Sequence, residues 1–340
     1  MAVVWRAIHH GPGKFRRMTA VKQMYPHLAS QRYYRDLFEE EARVGSILQD
    51  PNIAQVYDFV DDGGELYLAM EWVSGVDLAT YIHYVTQKLK SQTRWEVVAA
   101  IGIGVLRALA AAHERTGADG EAEPILHRDV SPHNVLISDA GGAKLIDFGL
   151  SFTRDRDIDD THPGMAKGKL HYLSPEILRG GRPTPHSDQF AVGCLLWEAL
   201  VGRRAFAAET EIETYQRVAN AELDHLLQVR PNVPKRLAAL VHHALARDPA
   251  KRYASCREMA RHLGGILHEH KLKEDLYSLI SKTARAARAE IGLGQKTQAP
   301  SVETPVPAER SGMVELLVGD DDRPTGFRKW IPAFIRNLTD

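Results

Sequence analysis

The stretch HRDVSPHNVLIS, residues 127–138, constrains the fold of this chain more than any other part of the sequence. It sets an acid, Asp129, and an amide, Asn134, five positions apart in a loop that leads into an apolar strand. A second short strand, AKLID, follows the turn DAGG and ends on Asp147, where a phenylalanine and a glycine let the chain turn. Acids and amides at the ends of neighbouring strands offer the hard oxygen ligands that suit a divalent cation. The pattern therefore predicts a site for such a cation.

Hydrophobic patterning divides the chain into a β-rich part and a helical part. It predicts strands over residues 2–8 and 18–24, and a hairpin in which AQVYDFV and ELYLAMEWV flank the turn DDGG. A helix is predicted over residues 32–49, with Glu41 on its apolar stripe. Further helices are predicted over about 94–115, 187–201, 211–220, 234–246 and 255–270. The expected fold class is α+β, with a small β-rich lobe before a larger helical lobe.

Composition argues against several classes of protein. The 340 residues carry a formal net charge of −1, which gives no general attraction to nucleic acid or anionic membranes. Cys194 and Cys256 lack the paired spacing of a disulfide or zinc framework and favour a reducing compartment. No stretch is predicted to span a membrane, and the N-terminus lacks the layout of a signal peptide. We therefore expect a cytoplasmic protein without nucleic-acid partners.

The last part of the chain differs in composition from the rest. After about residue 283, GLGQKTQAPSVETPVPAERSG is rich in Pro, Gly, Ser and Thr and predicts a disordered linker. The final segment, FRKWIPAFIRNL, places its apolar residues on one helical face. It is interpreted as a docking helix for a partner or for this chain, with a frayed terminus as the equal alternative.

Glu41 needs a partner, because a carboxylate on the buried face of a helix is costly when it is unpaired. In the second strand, Ala20 and Lys22 share one face under the two-residue period. Lys22 is therefore the candidate partner. Taken alone, such a pair is more often structural than catalytic.

Taken in order, these motifs resemble those of the protein kinases, and specifically the eukaryotic-like serine/threonine kinases of bacteria, over roughly residues 2–265. The resemblance implies the two-lobed α+β kinase fold. It implies an N-lobe at 1–73, a C-lobe at 74–270, a helical extension and linker at 271–310, and a C-terminal tail at 311–340.

The resemblance also implies ATP and Mg²⁺ as cofactors and assigns roles to the site residues. Asp129 would be the base that orients the substrate hydroxyl and accepts its proton, and Asn134 and Asp147 would hold magnesium. AVK matches the strand whose lysine anchors the α- and β-phosphates, so Lys22 would do this while paired with Glu41. The positions assigned to adenine are Val4, Ala20, Met70 as gatekeeper, the backbone from Glu71 to Val73, and Leu136.

Two further motifs resemble the family's supporting residues. LSPE, at 173–176, resembles the end of the activation segment, which implies that Glu176 pairs with Arg252. Asp188 of SDQFAVGC would brace the catalytic loop, HRDVSPHN, from a buried helix.

Arg128, directly before the catalytic acid, marks the subclass that is regulated through a phosphate in the activation segment. The hydroxyls in that segment are Ser151, Thr153 and Thr161. Its four aspartates, Asp155, Asp157, Asp159 and Asp160, are interpreted as solvated, or alternatively as substitutes for a phosphate.

Two departures from the family concern the N-lobe. The sequence starts within what resembles the second strand, before which the family has another strand and a glycine-rich loop. We interpret this as a start codon assigned too late, with a true short form as the alternative. Without that strand and loop, we expect the chain to bind nucleotide more weakly. Gly45 stands where the family usually has a bulky apolar residue, which predicts a gap and a Lys22–Glu41 alignment that depends on an activator.

The third departure concerns charge. Serine/threonine kinases usually carry a lysine two residues after the catalytic acid, and a threonine in a GT pair before the PE motif. This chain has Ser131 at the first position and Lys169, after Gly168, at the second. A lone Lys169 would ordinarily be a solvated loop residue. Because hydroxyl and ammonium have exchanged places, we predict that Lys169 supplies the charge missing between Asp129 and Asn134.

The predicted function is transfer of the ATP γ-phosphate to serine and threonine hydroxyls of proteins, this chain included, in signalling. The alternatives are a pseudokinase that serves as a scaffold with weak nucleotide binding, and a phosphotransferase for small molecules. Tyrosine specificity is disfavoured because the catalytic loop lacks the Arg/Ala pattern associated with it. Autophosphorylation would allow two copies of the chain to associate.

Overall fold

The computed structural model describes residues 1–12, 14–117, 119–148, 169–270, 272 and 274–292, and the backbone of 314–317. The chain divides into a first unit, Met1–Ile47, Ala54–Val73 and Ala289–Asp340, and a second unit, Leu48–Ile53 and Ser74–Arg288. A mainly antiparallel sheet dominates the first, and helices dominate the second. The predicted α+β fold, with a small sheet followed by a larger helical part, is confirmed.

The first unit is built on a five-stranded antiparallel sheet with the order β3-β4-β2-β1-β8. Its strands are β1 (Ala2–His10), β2 (Arg16–Met24), β3 (Val56–Asp62), β4 (Glu65–Glu71) and β8 (Val314–Leu317). The predicted β3–β4 hairpin is present, and Gly63 and Gly64 make its turn with φ of +61° and +93°. Positive φ at both central residues is what a two-residue hairpin turn of type I′ requires.

Two helices accompany this sheet, α1 (Pro26–Ala29) and α2 (Arg32–Ile47). The apolar stripe of α2 packs on the sheet, where Phe38 and Ala42 form a cluster with Met24, Leu66 and Leu68. Burying such a stripe against a sheet face supplies most of the stability of a helix of this length.

The gap predicted beside Gly45 is absent. A Cβ placed on Gly45 would lie 2.4 Å from Cγ2 of Val56 on β3, so that side chain already fills the space. The prediction was wrong because it considered only what the glycine lacks, and the neighbouring strand supplies the missing methyl.

The second unit holds a three-stranded antiparallel sheet with the order β5-β6-β7. Its strands are β5 (Gly75–Asp77), β6 (Val135–Ser138) and β7 (Ala143–Leu145). Its helices are α3 (Leu78–His83), α4 (Trp95–His113), α5 (Pro175–Leu178), α6 (Pro185–Val201), α7 (Glu211–Asn220), α8 (Leu226–Val229), α9 (Lys235–Ala244), α10 (Cys256–Glu269) and α11 (Leu276–Glu290).

The core of this unit surrounds α4 and α6. α4 is long and apolar enough to cross a membrane by length and composition, although no stretch of the sequence was predicted to do so. However, 67% of that stretch is buried inside the protein, as in a helix that is apolar all round because it forms a core. Both cysteines of the chain, Cys194 and Cys256, are buried and free in this structure.

Candidate active site

Asp188, on α6, fixes the loop that contains the predicted catalytic acid. It is buried, and its two carboxylate oxygens accept hydrogen bonds from the backbone amides of His127 (2.9 Å) and Arg128 (2.8 Å). His113 Nε2 lies 2.8 Å from the same carboxylate. Burial alone would raise the pKa of Asp188, but the hydrogen bond and charge of His113, together with His127, hold it below its ordinary value. Asp188 therefore stays ionised and holds the loop from beneath.

The same loop is tied to Ile146, which lies between the end of β7 and Asp147. His127 is fully buried, with its Nε2 2.9 Å from the carbonyl oxygen of Ile146, and the Ile146 amide donates to the carbonyl of Asn134 at 3.0 Å. Arg128 and Asp147 have φ of +64° and +61°. Such backbone is costly for residues with a side chain and persists where the surrounding contacts determine it.

The carboxylate of Asp129 lies between an amide and an ammonium group. Asn134 Nδ2 donates to the Asp129 carbonyl at 2.7 Å and to its Oδ2 at 3.2 Å. Lys169 Nζ lies 3.0 Å from the same Oδ2. The Asp129 side chain is 15% exposed and that of Lys169 is 52% exposed, so the acid is largely withdrawn from water while the lysine reaches it from the surface.

Ser131 has a backbone role in this loop. It precedes the 3₁₀ turn Pro132–Asn134, and its carbonyl accepts a hydrogen bond from the Asn134 amide at 3.0 Å. The turn directs the Asn134 side chain back to Asp129, so the five-residue spacing noted in the sequence is bridged by a single turn.

Asn134 and Asp147 suit a magnesium ion by their donor chemistry. The amide of Asn134 is oriented by its nitrogen, which donates to Asp129, and this leaves the amide oxygen as a ligand atom. Among the residues that the structure describes, no cluster of three or more His, Cys, Asp or Glu could hold a metal.

Lys22 and Glu41 form a buried ion pair within the first unit. Lys22 Nζ donates to Glu41 Oε1 at 2.6 Å, and the two residues are 7% and 3% exposed. A buried pair of this kind holds the ammonium group in one position, since separating the charges would leave both desolvated.

The residues of the first unit that are assigned to adenine share a sheet face with Lys22. In the strand register Val4 lies opposite Lys22, and Ala20, two residues before Lys22, lies opposite Met70. Directly opposed residues and those two apart point to the same side of a sheet. Val4 is 56% exposed there, whereas Ala20 is 6% exposed.

The remaining adenine positions are the end of β4 and one residue of the second unit. The Glu71 amide is already used, since it donates to the carbonyl of Gln55 at 2.8 Å. Val73 is partly buried at the last position of this stretch of the first unit. Leu136, in the second unit, is half-buried on β6 opposite Lys144.

Comparison with known proteins identifies the family. The model of the protein kinase domain matches residues 1–263. The chain belongs to the protein kinase domain family. It is 33% identical over 270 residues to the tyrosine-protein kinase MasK of Myxococcus xanthus, covering 79% of this chain and 42% of that protein.

Two other relatives of this kinase domain carry a different description. The serine/threonine-protein kinase PrkC of Bacillus subtilis is 31% identical over 77% of this chain and 38% of that protein. The serine/threonine-protein kinase PknL of Mycobacterium tuberculosis is 35% identical over 76% of this chain and 61% of that protein. The kinase chain thus spans about two-fifths of the length of MasK and PrkC.

In this kinase, the residues predicted to support the activation segment are brought together. Arg252 donates to both oxygens of Glu176 at 2.8 Å, and its guanidinium lies 4.9 Å from the ring centroid of Phe190. Burial would raise the pKa of Glu176, but the hydrogen bonds and charge of Arg252 keep it below its ordinary value. The pair anchors α5, the helix that follows Lys169 along the chain.

Sequence reasoning missed two side-chain contacts in the second unit of this kinase domain. His113 contacts Asp188, and the Tyr172 hydroxyl donates to Glu198 Oε2 at 2.5 Å. Burial raises the pKa of Glu198. In the sequence, His113 ends the apolar helix α4 and Glu198 lies in the buried helix α6. Neither position indicates which residue it contacts.

Several predictions for the kinase lie outside the described residues. These are Gly149 and the activation-segment positions Ser151, Thr153, Thr161 and Asp155 to Asp160, together with the amphipathic segment at 327–338.

Proposed function

We propose that this chain is an ATP- and magnesium-dependent protein kinase that phosphorylates serine and threonine residues of proteins, itself included, in signalling. The observation that carries the proposal is Asp129, held between Asn134 and Lys169 with distances of 3.2 and 3.0 Å at one carboxylate oxygen. Names of relatives such as PrkC and PknL support the choice of hydroxyl, whereas the name MasK supports tyrosine.

Asp129 is proposed to orient the substrate hydroxyl and to accept its proton at the carboxylate. A general base of this kind contributes about 10²- to 10⁴-fold in rate. Asn134 fixes the carboxylate through its Nδ2, and Asp188 fixes the loop through the amides before it. The base is thus positioned before substrate binds, which avoids reorganisation during the reaction.

Asn134 and Asp147 are proposed to hold Mg²⁺, which when bound neutralises phosphate charge and orients the nucleotide. Lys22, fixed by Glu41, is proposed to hold the α- and β-phosphates. Arg128 is proposed to bind a phosphate on the activation segment. Val4, Ala20, Met70, Glu71, Val73 and Leu136 are proposed to contact adenine.

Lys169 is proposed as the cation beside the transferring phosphoryl group, in place of a lysine at Ser131. Negative charge spreads over the phosphoryl oxygens as the reaction proceeds, and a fixed positive charge next to the base stabilises it. The 3.0 Å contact with Asp129 supports this role, because the ammonium group needs to lie at the base in order to act there. We also propose a cytoplasmic location, where ATP is available and two buried free thiols remain reduced.

The test is transfer of labelled phosphate from Mg²⁺-ATP to the chain itself and to a basic carrier protein. Asp129→Asn should lower the rate by about 10²- to 10⁴-fold, and Asp147→Asn should abolish transfer by removing a metal ligand. Asp36→Asn, which alters an exposed surface pair with Arg32, is the matched control and should match the wild type. Wild-type rates in both Asp129→Asn and Asp147→Asn would refute the proposed enzyme.

A further inference from the structure

Helix α11 (Leu276–Glu290) lies beyond the segment matched by the kinase family model, which ends at residue 263. The helix is nevertheless part of the core of the second unit. Its buried residues recur every three or four positions on one face, as in a helix packed against a core, and are Leu276, Ile280, Ala284 and Ala287. The helix is therefore built into the folded unit rather than being a loose extension.

Three polar residues of α11 converge on one residue of the turn between β6 and β7. Ser281 Oγ donates to the carbonyl of Asp139 at 2.6 Å, and Arg285 Nε donates to the same carbonyl at 3.2 Å. Arg288 Nη1 forms an ion pair with the Asp139 carboxylate. One helix thus holds both the backbone and the side chain of Asp139.

Arg288 links this turn to Ser74, which directly follows the proposed adenine-facing residue Val73. Arg288 Nη1 donates to Ser74 Oγ at 2.6 Å, and Ser74 Oγ donates to Asp139 Oδ2 at 2.8 Å. The Asp139 amide donates to the Ser74 carbonyl at 2.6 Å. The three residues form a closed network that joins two separate points of the chain to α11.

The Asp139 carboxylate is largely buried and has its ion-pair partner in this network. The Arg288 and Asp139 side chains are 20% and 23% exposed, and Asp139 Oδ1 is buried with no hydrogen-bond partner among the described residues. Removing the guanidinium would leave a largely buried, uncompensated carboxylate, which is more costly than never having had the pair.

Close packing reinforces the contact at Gly141. This residue has φ of +87°, and a Cβ on it would lie 2.2 Å from the carbonyl oxygen of Tyr277 on α11. Any side chain at this position would therefore push the turn and the helix apart.

The turn held by α11 closes the hairpin whose other end leads to both proposed metal ligands. β6 begins one residue after Asn134, β7 ends two residues before Asp147, and Val135 pairs with Leu145 across the hairpin. Because the hairpin is so short, a displacement of its closed end would also move both ligands.

We propose that α11 positions the metal and nucleotide site of this kinase, with Arg288 as the positioning residue that fixes the β6–β7 hairpin and Ser74. The inference rests on the proposed function, because it depends on Asn134 and Asp147 being the metal ligands. It adds a helix outside the matched segment to the catalytic machinery.

The experiment compares Arg288→Ala and Arg288→Lys with the control Lys282→Ala, which removes an exposed cation from the same helix. The first readout is amide hydrogen exchange over residues 135–147 without nucleotide. Arg288→Ala should exchange about tenfold faster there, because local opening no longer breaks the ion pair, while exchange in α6 is unchanged. Arg288→Lys, which keeps the charge, should lie between Arg288→Ala and the wild type, and Lys282→Ala should match the wild type.

The second readout is steady-state phosphate transfer. Arg288→Ala should raise KM for ATP at fixed Mg²⁺ by about fivefold or more, with a smaller change in kcat, since residues that position metal ligands typically alter affinity. Unchanged exchange in Arg288→Ala would overturn the inference. Three other outcomes would also overturn it: faster exchange with an unchanged KM, equally faster exchange throughout the protein, or exchange in Arg288→Lys as fast as in Arg288→Ala. Each would leave α11 with a structural role only.

A second variant covers failure of Arg288→Ala to fold. Gly141→Ala should accelerate the same exchange, whereas Gly120→Ala should not, since Gly120 has φ of +85° but nothing within 4 Å of its Cβ. Equal effects of the two would overturn the inference. The exchange results do not depend on turnover, so a wild-type chain without phosphate transfer would refute the proposed function and not the contact made by α11.

Discussion

One carboxylate oxygen of Asp129 contacts both Asn134, from its own loop, and Lys169, from a later segment. Lys169 therefore brings an ammonium group to this acid from outside the loop. Because Lys169 is about half exposed, water screens part of its charge, and its effect depends on how far bound substrate excludes that water.

Lys169→Ala should lower turnover by about 10²- to 10³-fold, with a smaller effect on ATP affinity, because the charge acts mainly as phosphate is transferred. The double variant Ser131→Lys with Lys169→Thr should recover part of the loss by restoring the cation from the other backbone. Steady-state kinetics of the single and double variants measure this. A double variant no faster than Lys169→Ala would argue against the exchange, as would full activity in Lys169→Ala.

His171, two residues after Lys169, should make stability depend on pH. Burial, with a further contribution from the charge of Arg204, lowers the pKa of His171 from 6.5 to about 4. Between those values the unfolded chain binds a proton that the folded protein does not, so the free energy of unfolding falls as the pH decreases. The free energy of unfolding of His171→Phe should therefore fall by about 1 to 2 kcal/mol less than that of the wild type between pH 7 and pH 5.

Urea unfolding of both proteins at the two pH values checks this, with the exposed His268→Asn as control. Parallel losses in wild type and His171→Phe would show that the histidine is protonated while folded.

At this scale the sequence was most informative where chemistry demands a partner. A buried acid on α2 predicted a cation, and Lys22 on the correct strand face meets Glu41 at 2.6 Å. The contact of Asp188 with His113 could not be predicted, because His113 is brought there by the packing of α4 against α6 and not by any spacing along the chain.

Among the elements, α2 shows how a neighbouring strand can replace a missing side chain. Gly45 gives up helix propensity worth about 1 kcal/mol relative to alanine. It is retained in a position where Val56 Cγ2 would lie 2.4 Å from an added Cβ. The packing of α2 on β3, and with it the helix that carries Glu41, requires this small residue.

Gly45→Ala should therefore destabilise the protein by about 1 to 2 kcal/mol, since overpacking outweighs the gain in helix propensity. In the Val56→Ala background, Gly45→Ala should cost much less stability than it does in the wild type, because the space beside residue 45 is then open. Urea unfolding of the two single variants and the double variant gives the coupling. A stabilised Gly45→Ala would instead indicate the gap that the sequence analysis expected.

The strands and helices with strong periodicity were predicted to within a few residues, including β2, α2 and α7. The strand β8 was not, because four residues are too few to show a period. α11 was treated only as an extension, since half of its buried positions are alanines and its contact with the β6–β7 turn depends on Arg288 and Asp139, which are far apart in sequence.

For the whole molecule, family membership establishes a kinase domain but leaves open which hydroxyl it phosphorylates. The chain covers 42% of MasK and 38% of PrkC, whose names specify tyrosine and serine/threonine respectively. The catalytic loop of this chain, HRDVSPHN, lacks the Arg/Ala pattern associated with tyrosine specificity. The identity of the phosphorylated residue therefore distinguishes the proposed serine/threonine kinase from a tyrosine kinase.

The most direct measurement is phosphoamino-acid analysis of the full chain and a basic carrier protein after incubation with Mg²⁺ and γ-labelled ATP, with Asp129→Asn as the blank. We predict label on phosphoserine or phosphothreonine with the wild type, and almost none with Asp129→Asn. Label on phosphotyrosine alone, or equal label with and without Asp129, would contradict it.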